Sequence, residues 1–387
     1  MGSRPRHSVL VIGASGIVGK SAIQEFIDAG WETHGISRRY PEVLAARHEA
    51  KFQHHKLDLF DVEACKRELP KFSFVTHILY SALIEQDGDL MDSWQSAQNC
   101  ENNQTMMENC MSVLLKECKN LEHVQWLQGT KAYGVHYRGI LVPARERDPR
   151  DPLNTPNWYW TQEDWMMEQL KGTNIRWTIH RPCCIWGDAL GKPMCPTKCL
   201  PLYAIIRKYR GEPLEYPIVD STAYCCHVDG DMLGRLFIWA ATSPNAHGES
   251  FNSDNGDVWE FRALWRSLSA YYGMPVADKD THFTLDGYFK QKEIEQTWEE
   301  IVNKFGLRKY TLAQMIGQSA QTTDIQMNNC PADKRLGGGR PWIESRVKLT
   351  QAGFTECVDT EDMAFKFFKR MEGDKLLPSR QMLEQSA

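Results

Sequence analysis

The feature that most constrains the fold is a set of glycines placed directly after the first apolar segment. Val9–Ile12 is a continuous β-branched and apolar run, as expected of a strand buried on both faces of a parallel sheet. Gly13, Gly16 and Gly19 follow it, and the residues up to Gly30 carry apolar side chains at helical spacing. Strand, glycine turn and helix together predict a dinucleotide-binding unit, because the glycines permit the tight turn, the approach of a pyrophosphate and close packing of the helix.

This unit predicts the architecture of the whole chain. We expect an α/β fold with a Rossmann doubly wound parallel sheet flanked by helices, and a smaller, mainly helical C-terminal cap that binds the substrate. The 387 residues suffice for both parts. The dinucleotide-binding domain is predicted over residues 1–190, with a return at about 225–258, and the cap over residues 191–224 and 259–387.

Composition and charge exclude several classes of protein. The formal net charge is -5, which argues against non-specific binding to nucleic acid. The apolar stretches are far shorter than the ~20 residues of a membrane span. The first strand begins so near the start that it leaves no room for a signal peptide, so we expect a cytoplasmic protein without a nucleic-acid or membrane partner. Composition does not determine the oligomeric state, so a homodimer remains an alternative to a monomer.

The twelve cysteines are expected to be reduced, buried thiols rather than metal ligands. A zinc site could be drawn from a group in the middle of the chain: Cys195, Cys199, Cys225, Cys226 and His227. However, no Cys-x-x-Cys pair occurs, and adjacent cysteines fit poorly around one tetrahedral ion. We therefore predict no metal.

Basic residues after the second strand indicate which dinucleotide is bound. The predicted strand Glu32–Ile36 ends in Ser37, Arg38 and Arg39, where an acidic residue would bind a ribose 2′-hydroxyl. Arginine suits a 2′-phosphate, so NADPH/NADP is favoured over NADH/NAD. A solvated basic turn is the alternative interpretation.

Two more predicted strands extend the cofactor site. They cover His55–Leu59 and His77–Tyr80. Asp58 is placed to meet the adenine, and the chain after the second of these strands, Ser81 and Ala82, should pass under the ribose. The full set of cofactor contacts expected from these local patterns is Gly13, Ser15, Gly16, Ile17, Val18, Ser37, Arg38, Arg39, Asp58, Leu59, Ser81 and Ala82.

The pattern Tyr-x-x-x-Lys on one helix, a catalytic pair in many enzymes that bind a dinucleotide, has a single literal match. It is Tyr288–Lys292, in a charged segment far beyond the glycine loop, and we interpret it as a chance match. The enzyme is therefore either inactive or takes its Tyr and Lys from different segments.

Several short blocks, in the right order, resemble the progesterone 5β-reductase/iridoid synthase-like branch of the extended short-chain dehydrogenases/reductases. They cover about residues 8–370. The blocks are Gly13–Gly19, Asn99–Asn109, Leu127–Gly134, Asn157–Asp164, His180–Gly187, Phe251–Asp257, Trp298–Val302 and Lys348–Phe354.

The resemblance implies that Lys131 and Tyr159 are the catalytic residues. The block around Lys131 has one residue fewer than the family pattern, so Lys131 aligns with the family less exactly than Tyr159 does. Tyr159 is the only phenol in its block, in the first turn of a helix predicted over residues 157–170. A phenol with an ordinary pKa near ~10 donates well to a developing oxyanion. Surface or packing roles are the alternatives for both residues.

The resemblance also implies further site residues. Asn103 has either a role in the site or the equally weighted role of a helix cap. The cofactor-binding residues implied by the resemblance are Gln128, Tyr159, Pro182 and Ile185. The predicted substrate contacts are Tyr133, Trp158, Tyr203 and Tyr224. The proline-rich segment 141–156 is either a lid over the cleft or a surface excursion.

The function implied is NADPH-dependent reduction of an activated C=C bond in a small apolar enone or enal. Hydride would go to the β-carbon while Tyr159 stabilises the enolate oxygen and Lys131 assists. Three alternatives remain open at this point: carbonyl reduction of an aldehyde or ketone, a cyclase or isomerase that uses NADP as a scaffold, and a non-catalytic NADP-binding regulator. The presence of candidates for both Tyr and Lys favours the enzyme.

Overall fold

A seven-stranded parallel sheet forms the centre of the molecule. The computed structural model describes residues 7–41, 52–150, 152–191, 194–219 and 223–385. Along the sheet the strand order is β3-β2-β1-β4-β5-β6-β9, which is the doubly wound order with one added strand. These strands are β1 (Ser8–Ile12), β2 (Glu32–Ser37), β3 (Phe52–Lys56), β4 (His77–Tyr80), β5 (His123–Leu127), β6 (Arg176–Pro182) and β9 (Glu249–Ser253), and a separate parallel pair is formed by β7 (Cys184–Trp186) and β8 (His227–Asp229).

Helices cover both faces of the sheet. One face carries α2 (Val62–Glu68), α4 (Ala97–Glu117) and α5 (Trp158–Leu170), and the other carries α1 (Ile17–Asp28) and α7 (Gly230–Thr242). The strands between them are apolar on both sides: all five residues of β1 are buried. The short helix α3 (Leu90–Gln95) lies before α4, separated from it by Ser96.

The C-terminal part is mainly helical and has its own core. The helix α6 (Pro196–Tyr209) contacts α8, α10, α11, α12 and α14. The elements of this part are α8 (Phe261–Tyr272), α9 (Leu285–Phe289), α10 (Lys292–Phe305), α11 (Leu312–Ile316), α12 (Ser319–Gln326), α13 (Val347–Ala352), α14 (Thr360–Gly373) and α15 (Arg380–Glu384). Leu349 and Phe354 return to the sheet and pack beside β9 and α7. In the described residues, no helix is long and apolar enough to cross a membrane.

The structure confirms the predicted fold class. β4 has the predicted bounds, whereas β3 begins three residues earlier than predicted, at Phe52. That prediction was displaced because the sequence after Lys56 is more apolar than the strand itself, whose residues are mostly half-exposed or exposed. The domain boundaries stay a prediction.

Candidate active site

A cavity of about 900 Å³ opens at the carboxyl ends of the parallel strands, where such folds bind their ligands. The predicted cofactor contacts come from seven separate segments, and all of them line this cavity together with Lys131. They are Gly13, Ser15, Gly16, Ile17, Val18, Ser37, Arg38, Arg39, Asp58, Leu59, Ser81, Ala82, Gln128, Tyr159, Pro182 and Ile185. Their roles in binding stay a prediction.

The glycine loop leaves no space for a side chain at Gly13 and exposes backbone N–H groups to the cavity. Gly13 has a φ of 96°, and a Cβ there would lie 2.7 Å from the backbone nitrogen of Ala82. Helix α1 begins after Gly16, and no side chain caps it. Its first backbone N–H groups therefore face the cavity without a side-chain acceptor, as an anion-binding helix terminus requires. A dinucleotide pyrophosphate fits this arrangement.

Asn157 joins the two segments that supply the predicted catalytic residues. It is the N-cap of α5, and its Oδ1 accepts from the Tyr159 backbone N–H at 3.1 Å. Its Nδ2 donates to the Lys131 carbonyl at 2.7 Å. The Lys131 Nζ lies 5.7 Å from the centre of the Tyr159 ring, so both residues belong to one site although 28 positions separate them.

Lys131 lies in an aromatic and acidic enclosure. Its Nζ is 4.3 Å from the ring centre of Trp94 and 4.2 Å from that of Trp158, which are distances of cation–π contact. The nearest carboxylate oxygen is Glu85 Oε1 at 3.6 Å. Burial lowers the pKa of Lys131 to about 8, against the opposing effect of Glu85.

Glu85 is a site residue that the sequence analysis missed. It lines the cavity, and its side chain is 5% exposed. Oε1 accepts from Trp94 Nε1 at 3.0 Å, while Oε2 accepts from Ser93 Oγ at 3.0 Å and Asn99 Nδ2 at 3.1 Å. These donors compensate the buried carboxylate. No motif identifies Glu85, since it lies in the loop after β4 and meets Lys131 only in the folded chain.

Burial keeps Tyr159 in its protonated form. It raises the pKa of Tyr159, and Glu85 adds to the shift. The hydroxyl oxygen lies 3.7 Å from the point that a Cβ on Gly129 would occupy, and the Pro182 carbonyl lies 3.5 Å from the same point. Because its pKa is raised, the phenol is a hydrogen-bond donor at neutral pH. Its distance from Gly129 and Pro182 shows that the hydroxyl lies near the end of β6.

Two buried side chains hold the backbone around the catalytic corner, by which we mean the part of the cavity wall formed by Lys131 and Tyr159. Gln128 donates from Nε2 to the Tyr159 carbonyl at 3.1 Å and accepts from Arg181 Nε at 2.8 Å. Asn103 is not a helix cap, because it lies inside α4, whose N-cap is Ser96. Its amide instead pairs with both backbone groups of Ile84 at 2.9 Å and so holds the loop that carries Glu85.

The four predicted substrate contacts do not line the cavity. Tyr203 is fully buried in the core of the C-terminal part, where its hydroxyl donates to the Glu215 carbonyl, and Tyr224 is 42% exposed. The Tyr133 hydroxyl donates to Asn252, and Trp158 stacks under Lys131. Sequence position could not show these side-chain directions. The apolar lining outside the cofactor set includes Met106, Val135, Met194, Ile325, Leu336 and Trp342.

The remaining candidates from the sequence have these places in the structure. Tyr288, from the chance Tyr-x-x-x-Lys match, is buried in the C-terminal part and does not line the cavity. The segment 141–156 forms neither helix nor sheet strand among its described residues. Among the cysteines suggested as zinc ligands, Cys195 and Cys199 do not share the one described cluster of possible metal ligands, which comprises Cys184, Cys225 and His227.

The fold and the cavity define a dinucleotide-binding enzyme of the doubly wound class. Residues 9–252 match the NAD dependent epimerase/dehydratase family. A solved structure of similar fold is the Bordetella bronchiseptica enzyme WbmG in complex with NAD and UDP, with a TM-score of 0.64, 14% identity and 97% of each chain covered. The chain belongs to this family and is an NAD(P)-dependent enzyme of the short-chain dehydrogenase/reductase type.

Relatives by sequence specify the branch of the family. The chain is 30% identical over 314 residues to the (S)-8-oxocitronellyl enol synthase of Catharanthus roseus, which covers 77% of this chain and 76% of that protein. It is 29% identical over 317 residues to the 3-oxo-Delta(4,5)-steroid 5-beta-reductase of Arabidopsis thaliana, covering 79% of each chain. The predicted membership of the progesterone 5β-reductase/iridoid synthase branch is confirmed.

Proposed function

We propose that this enzyme reduces the activated C=C bond of a small, apolar enone or enal with NADPH. The observation that carries the proposal is the convergence of Tyr159 and Lys131, from separate segments, on the cavity lined by all the predicted cofactor residues. Two relatives support it, because one is named as a steroid 5-beta-reductase and another as an enol synthase.

The residues of the cavity offer a place for each part of the cofactor. The uncapped start of α1 would hold the pyrophosphate, and Arg38, which is exposed at the end of β2, would pair with a 2′-phosphate. Pro182 and Ile185 would border the nicotinamide. A reduced nicotinamide supplies the hydride for the reaction when it is bound.

Tyr159 would carry the main catalytic role. Its protonated hydroxyl donates a hydrogen bond to the substrate carbonyl oxygen, and that bond strengthens as negative charge develops there. Lys131 would place a positive charge beside the same site. Trp94 and the apolar lining would keep water from the developing enolate and accept an apolar substrate, while Trp158 contacts Lys131.

The first test follows NADPH absorbance against small enones, enals, ketones and aldehydes, with product analysis. We expect oxidation of NADPH with enones or enals and a saturated carbonyl product. Tyr159→Phe should lower kcat by about 100-fold or more, with NADPH affinity retained, because only the oxyanion donor is lost. Unchanged turnover of this variant would refute the role of Tyr159. Binding of NADPH without turnover of any substrate would instead indicate a regulatory protein.

A further inference from the structure

A vicinal pair of cysteines forms part of the cavity wall. Cys183 and Cys184 directly follow Pro182 at the end of β6, line the cavity and are 7% and 6% exposed. Behind them lie Cys225 and Cys226 at the start of β8, which are 0% and 2% exposed. In the register of β7 and β8, Cys184 is opposite His227. The four cysteines belong to one packed cluster, and of these four only Cys183 and Cys184 line the cavity.

The imidazole of His227 shows how the inner sulfurs are protonated. Trp186 Nε1 donates to His227 Nδ1 at 3.0 Å, so the neutral ring carries its proton on Nε2. That nitrogen is 3.2 Å from the Cys225 sulfur and donates to it. A metal ion on Cys184, Cys225 and Nε2 would need the proton on Nδ1, against the Trp186 N–H. The arrangement therefore favours a hydrogen-bonded thiol cluster.

Cys183 lies on the cavity side of this group, with the Thr130 hydroxyl 3.9 Å from its sulfur. Burial opposes its ionisation, but the hydrogen bonds from Cys184 and Cys226 lower the pKa of Cys183. The pKa of both donors is raised, by burial and by their contact with Cys183. Cys184 and His227 lower the pKa of Cys225 as well, but Cys225 is fully buried, so Cys183 is the nucleophilic sulfur that lines the cavity.

Thr130 links Cys183 to the catalytic segment. Its hydroxyl lies 3.9 Å from the Cys183 sulfur and donates to Glu344 at 2.5 Å. Burial raises the pKa of Glu344, which favours the neutral carboxyl and removes a negative charge beside the sulfur. Thr130 is the neighbour of both Lys131 and Gly129, so the sulfur lies beside the corner where Tyr159 would bind a carbonyl oxygen.

We propose that Cys183 is a covalent modification site for α,β-unsaturated carbonyl compounds. The inference rests on the proposed function, because it uses the same polarisation of the substrate by Tyr159. The Cys183 thiolate forms a bond from sulfur to the β-carbon, and the π electrons move to the enolate oxygen held by Tyr159. The proton lost from the thiol returns to the α-carbon, so addition consumes only enone and thiol and requires no oxidant or reductant. Without reduced cofactor, the sulfur takes the place of hydride at the β-carbon.

The experiment uses the full chain without cofactor and 2-cyclohexen-1-one as the probe. Cys330→Ser/Cys357→Ser serves as the background, because Cys330 is half-buried and Cys357 exposed, whereas the other cysteines are buried. Intact mass and peptide mapping should show one adduct, on Cys183. Cys183→Ser in this background should lose the adduct, and the matched variant Cys184→Ser should keep it.

Tyr159→Phe separates activation in the site from ordinary thiol reactivity. We expect it to slow adduct formation with cyclohexenone by about tenfold or more, and to leave the reaction of Cys183 with iodoacetamide unchanged, since iodoacetamide forms no enolate. An adduct on another cysteine, no adduct, or equal rates in the Tyr159 variant would overturn the proposal. An adduct on Cys183 that depends on Tyr159, in a protein that oxidises no NADPH, would reject the reductase and leave the modification site standing. NADPH oxidation without any adduct would support the reductase and reject the modification site.

Discussion

At the scale of single residues, the charge of Lys131 depends on Glu85. Burial lowers the Lys131 pKa to about 8, and the carboxylate at 3.6 Å is the contact that opposes this shift. Glu85→Gln should lower the Lys131 pKa further, because the neutral amide no longer stabilises the ammonium. If protonated Lys131 is the active form, activity falls as pH rises through its pKa. The descending limb of log(kcat/KM) against pH should then move from near 8 to lower pH by about one unit.

The control for this prediction is Glu85→Asp, which keeps the charge. It should retain the wild-type position of the limb even if kcat falls, because the carboxylate still faces Lys131. A limb that stays near pH 8 in Glu85→Gln would show that Glu85 has only a structural role. The measurement is a pH profile of NADPH oxidation with the best enone.

Arg38 provides the residue-scale test of the cofactor. Arg38→Ala should weaken NADPH binding by about 10- to 100-fold, which is the loss expected for a charge-assisted hydrogen bond, and leave NADH binding nearly unchanged. Lys56→Ala is a matched control, because Lys56 is exposed at the end of the neighbouring strand β3 and does not line the cavity. Equal losses for NADPH and NADH would refute the phosphate contact. Fluorescence titration of both dinucleotides measures the difference.

The same scale shows which site residues could be predicted from sequence. The cofactor set lines the cavity because parallel strands bring their carboxyl ends to one edge, so a local strand-and-turn pattern is enough to bring Ser37, Asp58 and Ser81 to it, while their contact with a cofactor stays a prediction. Glu85 and Trp94 were missed because their role is a contact with Lys131, about 40 residues away in sequence. The burial of Tyr203 in the core of the C-terminal part could not be predicted, because the direction of a helical side chain depends on packing that the sequence does not display.

At the scale of elements, the first strand and helix depend on Gly19. A Cβ on Gly19 would lie 2.2 Å from the Gly13 carbonyl oxygen and 2.8 Å from the Ala14 Cα, which are backbone atoms that cannot rotate away. Gly19→Ala should lower the free energy of unfolding by about 1–3 kcal/mol, because α1 must shift from β1. Urea unfolding followed by circular dichroism measures it.

Gly16→Ala is the control for this element. The new Cβ would lie 3.4 Å from the Gly13 oxygen, and Gly16 has a φ of -79°, so the fold can accept it. Its methyl group would stand at the uncapped start of α1, so cofactor affinity should fall while stability changes little. Equal stability of the two variants would contradict the close packing attributed to Gly19.

Elements with a strong local pattern were predicted within a few residues. The helix predicted over residues 157–170 begins at Trp158 and ends at Leu170, because Asn157 caps it and Gly172, with a φ of 74°, follows it. A proline likewise marks the start of α6, where Pro196 is the first helical residue. The predicted ends of an element are therefore accurate where a cap, a glycine or a proline marks them, and inaccurate for β3, which has no such signal.

At the scale of the whole molecule, the path of the C-terminal part was outside the reach of sequence patterns. Aromatic and aliphatic side chains form the core of this part, and α6 lies at its centre. The contact of Leu349 and Phe354 with the sheet, and that of α14 with α7, join segments separated by about 100 residues or more in sequence. Such contacts depend on the packing of several helices at once, which no single segment encodes.

Asp231 on α7 connects these two parts of the molecule. It pairs with Arg370 at 2.6 Å and Lys366 at 2.8 Å, both on α14, and its side chain is 8% exposed. Burial favours the neutral carboxyl, but Arg370 and Lys366 lower the pKa of Asp231 below its ordinary range. The stability from this group is therefore present above the unfolded-state pKa near ~3.9 and is lost as pH falls through the folded-state pKa.

Asp231→Asn should thus destabilise the protein by about 3 kcal/mol at pH 7, since Arg370 and Lys366 lose the buried carboxylate that they share, although Asp188 and Asp229 still face them. The difference from wild type should shrink below about pH 4, where the unfolded wild-type chain begins to take up the proton. Asp164→Asn is the control, because the Asp164 side chain is 68% exposed beside Arg150 and its loss should cost at most about 1 kcal/mol. Urea unfolding of all three proteins at pH 7 and at pH 3 measures both effects. A deficit of the Asp231 variant that is equal at the two pH values would show that shape, rather than charge, joins α7 to α14.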